Sequence, residues 1–350
     1  MIPSWLMHPC ASIDQKAEQA AEQHQQNLTK PPGSLGQLEN LAIQLAGMQG
    51  VKRPTLERTH ITVFAGDHGI AAEGVSAFPQ AVTAEMVRNF ARGGAAICVL
   101  ARENHAYLEV VNTGTVAEVE PLEGVFDARI APGTANFAQE AAMTTEQLIR
   151  AMDIGSAAAI RASEMDAQLY IAGEMGIANT SAATALSCIL LNLPAEKIAG
   201  PGTGLDLQGV ARKIAVINDA LKHHEEDITG PMEALQYFAG FEMAAIVGAY
   251  IRCAQLGIPI LVDGFITTAA ALAAIQIQPE VKKWLIYSHA SQEPGHAVLL
   301  QALDAHPILN MHMRLGEGSG AATALPLLHL ACSLHSQMAT FSEASVSNKL

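Results

Sequence analysis

The amino-acid sequence predicts an α/β protein with a doubly wound, mainly parallel sheet that carries helices on both faces. Short β-branched runs end in glycine or polar residues, as buried parallel strands do. Longer alanine-rich segments follow these runs, as crossover helices do. Hydrophobic residues make up 50% of the 350-residue chain, which is enough for a large core. A small helical domain formed by the two chain ends completes the predicted architecture.

Five strand-like runs alternate with helix-like segments along the chain. The runs are HITVFAGDHG, YLEVVNTG, QLYIAGEMG, IPILVDG and WLIYSHA. The alanine-rich segments that follow them are AVTAEMVRNFARGGAAICVLAR, TSAATALSCILL, ITTAAALAAIQ and GHAVLLQALDAH. In such folds ligands bind at the carboxyl ends of the strands, and the glycine and polar residues gather there in this sequence.

Both chain ends are predicted to be helical. Residues 14–30 are rich in Ala, Gln and Glu, and KPPGSLG ends that helix before LENLAIQLAGM begins the next. At the other end, GAATALPLLHLACSLHSQMA predicts a long helix that packs with the N-terminal ones. We therefore predict a Rossmann-like catalytic domain over residues 31–321, and a small helical domain made of residues 1–30 together with 322–350.

Charge and cysteine content argue against several functions. The chain has 34 acidic and 20 basic residues, and its formal charge of −14 disfavours binding to nucleic acid. The five cysteines are far apart and are predicted to be reduced core thiols. No targeting signal is visible, and Arg252, Gln255 and Pro259 interrupt the longest apolar stretch. We expect a cytoplasmic protein that does not enter a membrane.

Glu317 is a single carboxylate between Gly316 and Gly318, in the segment RLGEGSGAATALPLL at the start of a predicted helix. The two glycines allow a ligand to approach the backbone closely, and the helix start can face an anion. The alternative is an ordinary acidic residue in the first turn, stabilised by the helix dipole. From this segment alone, the structural alternative is the more common one.

A second glutamate stands in a similar setting in GEMGIANTSAATAL. Glu174 lies between Gly173 and Gly176, and Asn179 and Thr180 begin an alanine-rich helix. The unpaired N–H groups of such a helix start, with the capping side chains, form a phosphate site. An ordinary helix cap explains the same residues equally well, and neither glutamate belongs to a known catalytic sequence pattern.

A glycine-rich segment, AGPGTGLDLQGVARKIAVI, places Gly202 and Gly204 before a helix that carries Lys213. It lacks the GxGxxG spacing and does not directly follow a strand, and GxxxxGK(S/T) is absent from the sequence, so dinucleotide and P-loop interpretations are weak. Lys213 is a candidate phosphate ligand, although a solvated lysine on a helix surface is the more common case.

The segment FAGDHGIAAEGVSAFPQAVTAEMV places Asp67 and His68 at a strand end, followed by Phe78, Pro79 and Gln80 in a loop. Asp67 and His68 are candidates for a ligand pair or a polarised base, but hydrogen bonding to loop backbone is more common. An aromatic ring and a proline beside the carboxyl edge would suit a flat heteroaromatic ligand.

SHASQEPGH contains two histidines, His289 and His296, whose spacing matches no common zinc pattern. We expect no metal site. GEGSG lacks the GxSxG spacing of a serine hydrolase.

Taken together, eight segments strongly resemble the nicotinate-nucleotide:dimethylbenzimidazole phosphoribosyltransferase family of cobalamin biosynthesis. They are TKPPGSLGQLE, FAGDHGI, VSAFPQAVT, GEMGIANTSAATAL, GPGTGLD, DGFITTAAAL, SHASQEPGH and RLGEGSGAATAL, in order from about residue 10 to about residue 335. The resemblance implies transfer of the 5-phosphoribosyl group of nicotinate mononucleotide to a nitrogen of 5,6-dimethylbenzimidazole. The products would be nicotinate and α-ribazole 5′-phosphate. It also implies a homodimer, and we expect no cofactor.

The resemblance also assigns roles to residues. Glu317 would be the general base and Glu174 would lie near the ribose or the reacting centre. The phosphate would be held by Gly176, Asn179, Thr180, Gly202, Gly204 and Lys213. The benzimidazole would lie among Phe78, Pro79, Gln80, Met86, Met175 and Leu315, close to the loop of Gly316 and Gly318.

Three alternatives stay open at this point. Phe78 is bulky and two methionines line the predicted ring pocket, so benzimidazole, adenine or a phenol could be accepted as well. A paralogue with another nucleotide donor or acceptor base is a second alternative. A nucleotide sensor that has lost its chemistry is a third, although retention of both glutamates argues against it.

Overall fold

The computed structural model describes residues 3–347 and contains a six-stranded sheet of order β3-β2-β1-β4-β5-β6. Each neighbouring pair of strands is parallel. The strands are β1 (Thr59–Gly66), β2 (Tyr107–Gly114), β3 (Val125–Asp127), β4 (Leu169–Met175), β5 (Ile260–Val262) and β6 (Leu285–Tyr287). This strand order is that of a doubly wound fold, so the predicted fold class is confirmed.

Twelve α-helices surround the sheet in the described part of the chain. They are α1 (Gln15–Asn27), α2 (Gln37–Gln49), α3 (Ala81–Ala91), α4 (Ala96–Glu103), α5 (Thr145–Glu164), α6 (Asn179–Leu191), α7 (Leu207–His223), α8 (Pro231–Phe238), α9 (Phe241–Leu256), α10 (Phe265–Ile277), α11 (Pro294–Leu303) and α12 (Ser319–Gln337). Short 3₁₀ turns cover Ser4–Met7, Gly69–Glu73, Ala195–Lys197, Glu225–Asp227 and Pro279–Trp284.

The centre of the sheet is formed by β1 and β4, where the winding of the chain reverses. All eight residues of β1 are buried, as its β-branched run predicts. Phe64 pairs with Glu174 and Ala65 with Met175, so the carboxyl ends of both strands lie side by side. Crevices at such a reversal point hold the ligands of doubly wound proteins.

The longest apolar stretch forms α9 and then β5, as the sequence predicts. The helix ends at Leu256, and Gly257 follows it with a left-handed backbone (φ +75°) that suits glycine at a helix C-terminus. Close packing of α9 against α5 depends on Gly155 and Gly248, since a Cβ on either would overlap backbone of the opposite helix. Within residues 3–347, none of the helices is both long and apolar enough to span a bilayer.

The two chain ends pack together. Asp14 caps α1 by accepting the N–H groups of Lys16 and Ala17 at 2.9 and 3.0 Å. The His24 ring is hydrogen bonded to the carbonyl of His335 in α12 at 2.9 Å, and Leu28 pairs with Thr340 in an antiparallel bridge. The proposed division into residues 31–321 and a terminal helical unit stays a prediction, and its second boundary lies inside α12.

None of the five cysteines forms a disulfide within the described residues. Cys98, Cys188, Cys253 and Cys332 are buried in helices, as predicted, whereas Cys10 is half-buried in a loop.

Candidate active site

A cavity of about 320 Å³ opens at the carboxyl edge of the sheet. Three polar residues that line it, Glu174, Asp263 and His289, come from the ends of β4, β5 and β6. Parallel strands bring their carboxyl ends to one edge, so residues distant in sequence meet there.

The loop that carries Glu317 lies directly against β4. Gly316, Glu317 and Gly318 have φ angles of +90°, +64° and +87°, a left-handed run that is unfavourable for the glutamate. The N–H of Glu317 donates to the carbonyl of Glu174 at 3.2 Å. A Cβ on Gly173 would overlap the Glu317 carbonyl, and one on Gly316 would overlap the Glu174 carboxylate. These glycines therefore let the two glutamate-bearing segments meet.

The Glu317 carboxylate lies at the start of α4. It is buried, and its Oε2 accepts the N–H of Ile97 at 3.2 Å. The structural alternative, an acidic residue in the first turn of its own helix, is therefore wrong, because Glu317 precedes α12 and its carboxylate contacts the start of α4. Burial raises the pKa of Glu317, and the negative charge of Asp263 adds to the rise, while the Ile97 hydrogen bond partly offsets it.

Glu174 is buried in the last part of β4 and its carboxylate accepts the side-chain amide N–H of Asn179. Burial raises its pKa well above the usual value for a glutamate, and the nearby charges of Asp263 and Glu242 raise it further. A perturbed carboxyl in a cleft is a candidate for proton transfer or for substrate positioning.

Asp263 is a third carboxylate at this edge, and it was not among the predicted site residues. Its Oδ1 accepts the N–H of Ala321 at 2.8 Å, in the first turn of α12. Burial raises its pKa to about 6. The sequence did contain an indication of this role, because Asp263 directly follows the strand run IPILV. Polar residues at the carboxyl ends of parallel strands face the ligand crevice.

The start of α6 forms one corner of the cavity, the anion corner, where the helix dipole favours a negative charge. No side chain caps this helix, which follows Ala178 in a left-handed conformation (φ +74°). Thr180 and Gly202 line the cavity next to each other. The N–H groups of Asn179 and Ser181 already donate to the carbonyls of Gly176 and Ala178, at 3.2 and 2.9 Å, so the positive end of the helix dipole is what favours an anion here.

Lys213 is buried behind this corner. Its Nζ donates to Thr180 Oγ1 at 2.9 Å and to the Gly200 carbonyl at 3.3 Å. The common alternative of a solvated surface lysine is therefore wrong. Burial lowers the pKa of Lys213 to about 8, although the charge of Glu293 opposes the shift.

Apolar residues also line the cavity. Phe78, Met175 and Leu315 are among them, and Phe78 and Leu315 are 48% and 60% exposed. Gln80 instead donates to the backbone carbonyl of His68 at 2.9 Å.

The predicted site residues divide into two groups. Those that line the cavity are Phe78, Glu174, Met175, Gly176, Asn179, Thr180, Gly202, Leu315 and Gly316. Those that do not line it are Pro79, Gln80, Met86, Gly204, Lys213, Glu317 and Gly318. Lys213 and Glu317 contact lining residues directly, whereas Met86 is half-buried in α3 and Gly204 is exposed.

The Asp67 and His68 pair has separate roles. Asp67 accepts the hydroxyl of Thr83 at 2.6 Å and the N–H of Val116 at 2.8 Å. These bonds connect the end of β1 to α3 and to the segment after β2. His68 Nε2 lies 2.7 Å from the carboxylate of Glu242, in the first turn of α9.

The two histidines of SHASQEPGH also differ. His296 accepts the N–H of Ser291 at 2.8 Å through Nδ1 and contacts the hydroxyl of Thr268 at 3.0 Å, while burial lowers its pKa to about 3. It is a neutral structural residue. His289 lines the cavity, and burial lowers its pKa. Among the described residues, no group of three His, Cys, Asp or Glu is placed to hold a metal ion.

A doubly wound sheet whose carboxyl edge combines a helix start suited to an anion with buried carboxylates is the arrangement of an α/β enzyme. The chain belongs to the phosphoribosyltransferase family, whose sequence model matches residues 10–346. The family resemblance predicted from the sequence is thereby confirmed.

Named relatives and solved structures are similar over nearly the whole chain. The nicotinate-nucleotide–dimethylbenzimidazole phosphoribosyltransferase of Pseudomonas putida KT2440 is 54% identical over 349 residues, covering 100% of this chain and 99% of the relative. The protein of the same name from Xanthomonas oryzae pv. oryzae is 56% identical, covering 99% and 100%. The crystal structure of CobT from Thermus thermophilus has a TM-score of 0.92 at 43% identity, covering 95% of this chain and 100% of that one.

Proposed function

We propose that this protein transfers the 5-phosphoribosyl group of nicotinate mononucleotide to 5,6-dimethylbenzimidazole, with Glu317 as the general base. The observation that carries the proposal is one cavity that combines the anion corner with apolar lining residues, with buried Glu174 in its lining and buried Glu317 directly behind. The donor brings a phosphate and a ribose, and the acceptor is a flat apolar ring. The names of the full-length relatives support the same reaction.

In the proposed reaction, one ring nitrogen attacks C1′ of the ribose. A bond forms between that nitrogen and C1′ while the bond between C1′ and the nicotinate nitrogen breaks. The attacking ring becomes cationic, and its other nitrogen gives up its proton to the Glu317 carboxylate. A positioned base of this kind contributes about 10²–10⁴-fold to the rate.

The remaining predicted residues would hold the reactants. The phosphate would lie at Gly176, Asn179, Thr180, Gly202 and Gly204, with Lys213 behind them. The ring would lie among Phe78, Pro79, Gln80, Met86, Met175 and Leu315. Glu174 would adjoin the ribose. Holding the two rings on opposite faces of the ribose supplies a large part of the catalysis and inverts the β linkage to α.

A direct assay tests the proposal. The purified protein is mixed with nicotinate mononucleotide and 5,6-dimethylbenzimidazole, and nicotinate and the riboside phosphate are quantified by chromatography. We expect both products in equal amounts. The absence of nicotinate release above a protein-free control would contradict the proposal, and binding of the donor without turnover would instead indicate a sensor. We also propose that the protein is a cytoplasmic homodimer, which light scattering and cell fractionation can check.

The exposure of the apolar lining residues supports a broader range of acceptor rings. Phe78 and Leu315 are exposed to solvent, and the flexible side chain of Met175 can adapt to different shapes. In an equimolar mixture of acceptors, we expect benzimidazole to react alongside 5,6-dimethylbenzimidazole. The same mixture includes adenine and phenol, which tests whether they are accepted as well. Chromatography of the riboside products measures this range. A single product from the mixture would show that the pocket is more selective than its openness indicates.

A further inference from the structure

Arg314 is a cationic residue of the cavity that sequence analysis did not identify. It is exposed, lines the cavity and directly precedes Leu315 in the loop of Glu317. One guanidinium nitrogen donates to the carbonyl of Gly202 at 3.2 Å. Among the described residues that line the cavity, Arg314 is the only lysine or arginine.

The surroundings of the cavity are otherwise acidic. Glu174, Asp263 and Glu293 line it and Glu317 lies directly behind. A phosphate monoester carries a charge of about −1.5 to −2 at neutral pH. Carboxylates that are ionised in a partly desolvated cavity repel such a group, so a phosphorylated substrate needs compensating cations at the place where it binds.

Two cations approach the anion corner from different sides. Lys213 contacts Thr180 and the Gly200 carbonyl from behind, whereas Arg314 reaches Gly202 from the loop of Glu317. The charges of both cations act on the carboxylate of Glu293, which also accepts a backbone hydrogen bond from Gly202. An internal carboxylate thus lies where the two positive charges converge.

The chemistry of the guanidinium fits a phosphate. Its planar fork offers five N–H donors, and a bidentate pair of hydrogen bonds matches two phosphate oxygens. The Gly202 carbonyl accepts from one nitrogen, which leaves other donors of Arg314 for a ligand. Charge-assisted hydrogen bonds of this type are roughly twice as strong as neutral ones.

We propose that Arg314 binds the phosphate of the donor substrate and thereby couples phosphate binding to the position of the Glu317 loop. This inference rests on the proposed function. Leu315 and Glu317 follow Arg314 within three residues. A phosphate held by Arg314 therefore fixes the segment that carries both the predicted ring contact and the predicted base.

The test compares Arg314→Gln and Arg314→Lys with a matched control, Arg58→Gln. Arg58 is also exposed and also donates to one backbone carbonyl, that of Asp166 at 2.8 Å, but it precedes β1 and lies at the opposite edge of the sheet. Each variant is measured with nicotinate mononucleotide and with nicotinate riboside, which lacks the phosphate. Calorimetric titration with ribose 5-phosphate measures phosphate binding without turnover.

We expect Arg314→Gln to raise KM for nicotinate mononucleotide and Kd for ribose 5-phosphate by about 10–100-fold, since a charge-assisted contact is lost. Arg314→Lys should recover part of the loss, because it keeps the charge but not the fork. With nicotinate riboside the Gln variant should differ from wild type by less than about twofold, because this substrate has no phosphate to bind. Arg58→Gln should match wild type throughout.

Two results would overturn the inference. One is unchanged affinity of Arg314→Gln for ribose 5-phosphate, which would exclude Arg314 as a phosphate ligand. The other is an equal loss with nicotinate mononucleotide and nicotinate riboside, which would indicate a disturbed loop. Failure of the wild-type protein to release nicotinate would contradict the proposed function instead, and the ribose 5-phosphate titration would still decide the role of Arg314.

Discussion

Buried carboxylates occur at both edges of the sheet, but their surroundings differ. At the amino edge, Glu109 of β2 receives two hydrogen bonds from Arg161, at 2.9 and 2.7 Å, and one from Thr62 at 3.0 Å. At the carboxyl edge, Glu317 and Asp263 accept backbone N–H groups at helix starts. No arginine or lysine lies within salt-bridge distance of them among residues 3–347.

The pKa values move in opposite directions at the two edges. Burial alone would raise the pKa of Glu109, but the His60 ring, 3.5 Å away, and the two hydrogen bonds from Arg161 outweigh it and hold the pKa below the usual value. Burial raises the pKa of Glu317, and Asp263 raises it further.

This contrast separates a structural carboxylate from functional ones. A buried carboxylate paired with a cation stays ionised and resists titration, which suits a fixed contact between strand and helix. Buried carboxylates without a cation have raised pKa values and can exchange protons near neutral pH. The buried carboxylates at the carboxyl edge are therefore unfavourable for folding but suitable for proton transfer.

The largest effect is expected from Glu317→Gln. Turnover should fall by about 10²–10⁴-fold, because the variant has no carboxylate to accept the proton. The free energy of unfolding should stay the same or increase slightly, since the amide oxygen can still accept the Ile97 N–H and no charge has to be buried. Nicotinate release and urea unfolding measure the two quantities.

Glu103→Gln provides the matched control for that variant. Glu103 is exposed in the last turn of α4, the helix whose start holds the Glu317 carboxylate. Its loss should change the free energy of unfolding by less than about 0.5 kcal/mol and should leave turnover as in wild type. Near-normal turnover of Glu317→Gln would remove Glu317 as the base.

The opposite result is expected at the amino edge, where Arg161→Met should affect stability and not chemistry. Removal of the guanidinium leaves Glu109 buried without its cation, which should lower the free energy of unfolding by about 3 kcal/mol. We place the effect at the low end because 28% of the Arg161 side chain is exposed to solvent. Turnover of the folded enzyme should be unchanged, since this pair lies at the edge away from the cavity.

A second substitution tests the cause of that loss. The double variant Arg161→Met with Glu109→Gln should recover part of the stability, because no unpaired charge remains buried. Urea unfolding of the single and double variants measures the recovery. If both are equally unstable, lost packing of the Arg161 side chain over Phe126, 4.4 Å from the ring centroid, explains the effect instead.

The predicted fold was confirmed where burial leaves a strong pattern in the sequence. All five predicted strand runs form strands, because buried parallel strands carry continuous apolar side chains. The sixth strand, β3, could not be predicted in this way. Its three residues are exposed or half-buried at the edge of the sheet, and it is defined by backbone pairing of Val125 with Val110.

The site was predictable only in part, because motifs show which residues are present and not what they contact. Glycine-flanked glutamates and a helix start indicated Glu317, Glu174 and Thr180, which lie in or behind one cavity. The burial of Lys213 depends on how α7 packs behind α6, and no local pattern reports it. Arg314 lies in a quoted motif but became recognisable as a cavity residue only through its contact with Gly202.

The smallest effect is expected from the electrostatic interaction between Glu317 and Asp263 at the carboxyl edge. If Glu317 is the base, activity must fall on the acid side as Glu317 becomes protonated, at a pH above the usual pKa of a glutamate because its pKa is raised. Asp263→Asn removes a negative charge that contributes to this rise. The pKa of Glu317 should therefore decrease, and the acid limb of the pH–rate profile should move to lower pH.

The amide in Asp263→Asn can still accept the Ala321 N–H, so the start of α12 should be retained and the shift should report charge alone. Glu109→Gln removes a buried carboxylate at the other edge and should leave the acid limb where it is in wild type. The profile of kcat/KM against pH measures both variants. An unmoved limb in Asp263→Asn would mean that the two carboxylates titrate independently, and equal shifts in both variants would mean that a general loss of negative charge is responsible. Only a shift confined to Asp263→Asn agrees with a carboxyl edge whose unpaired acids tune one another.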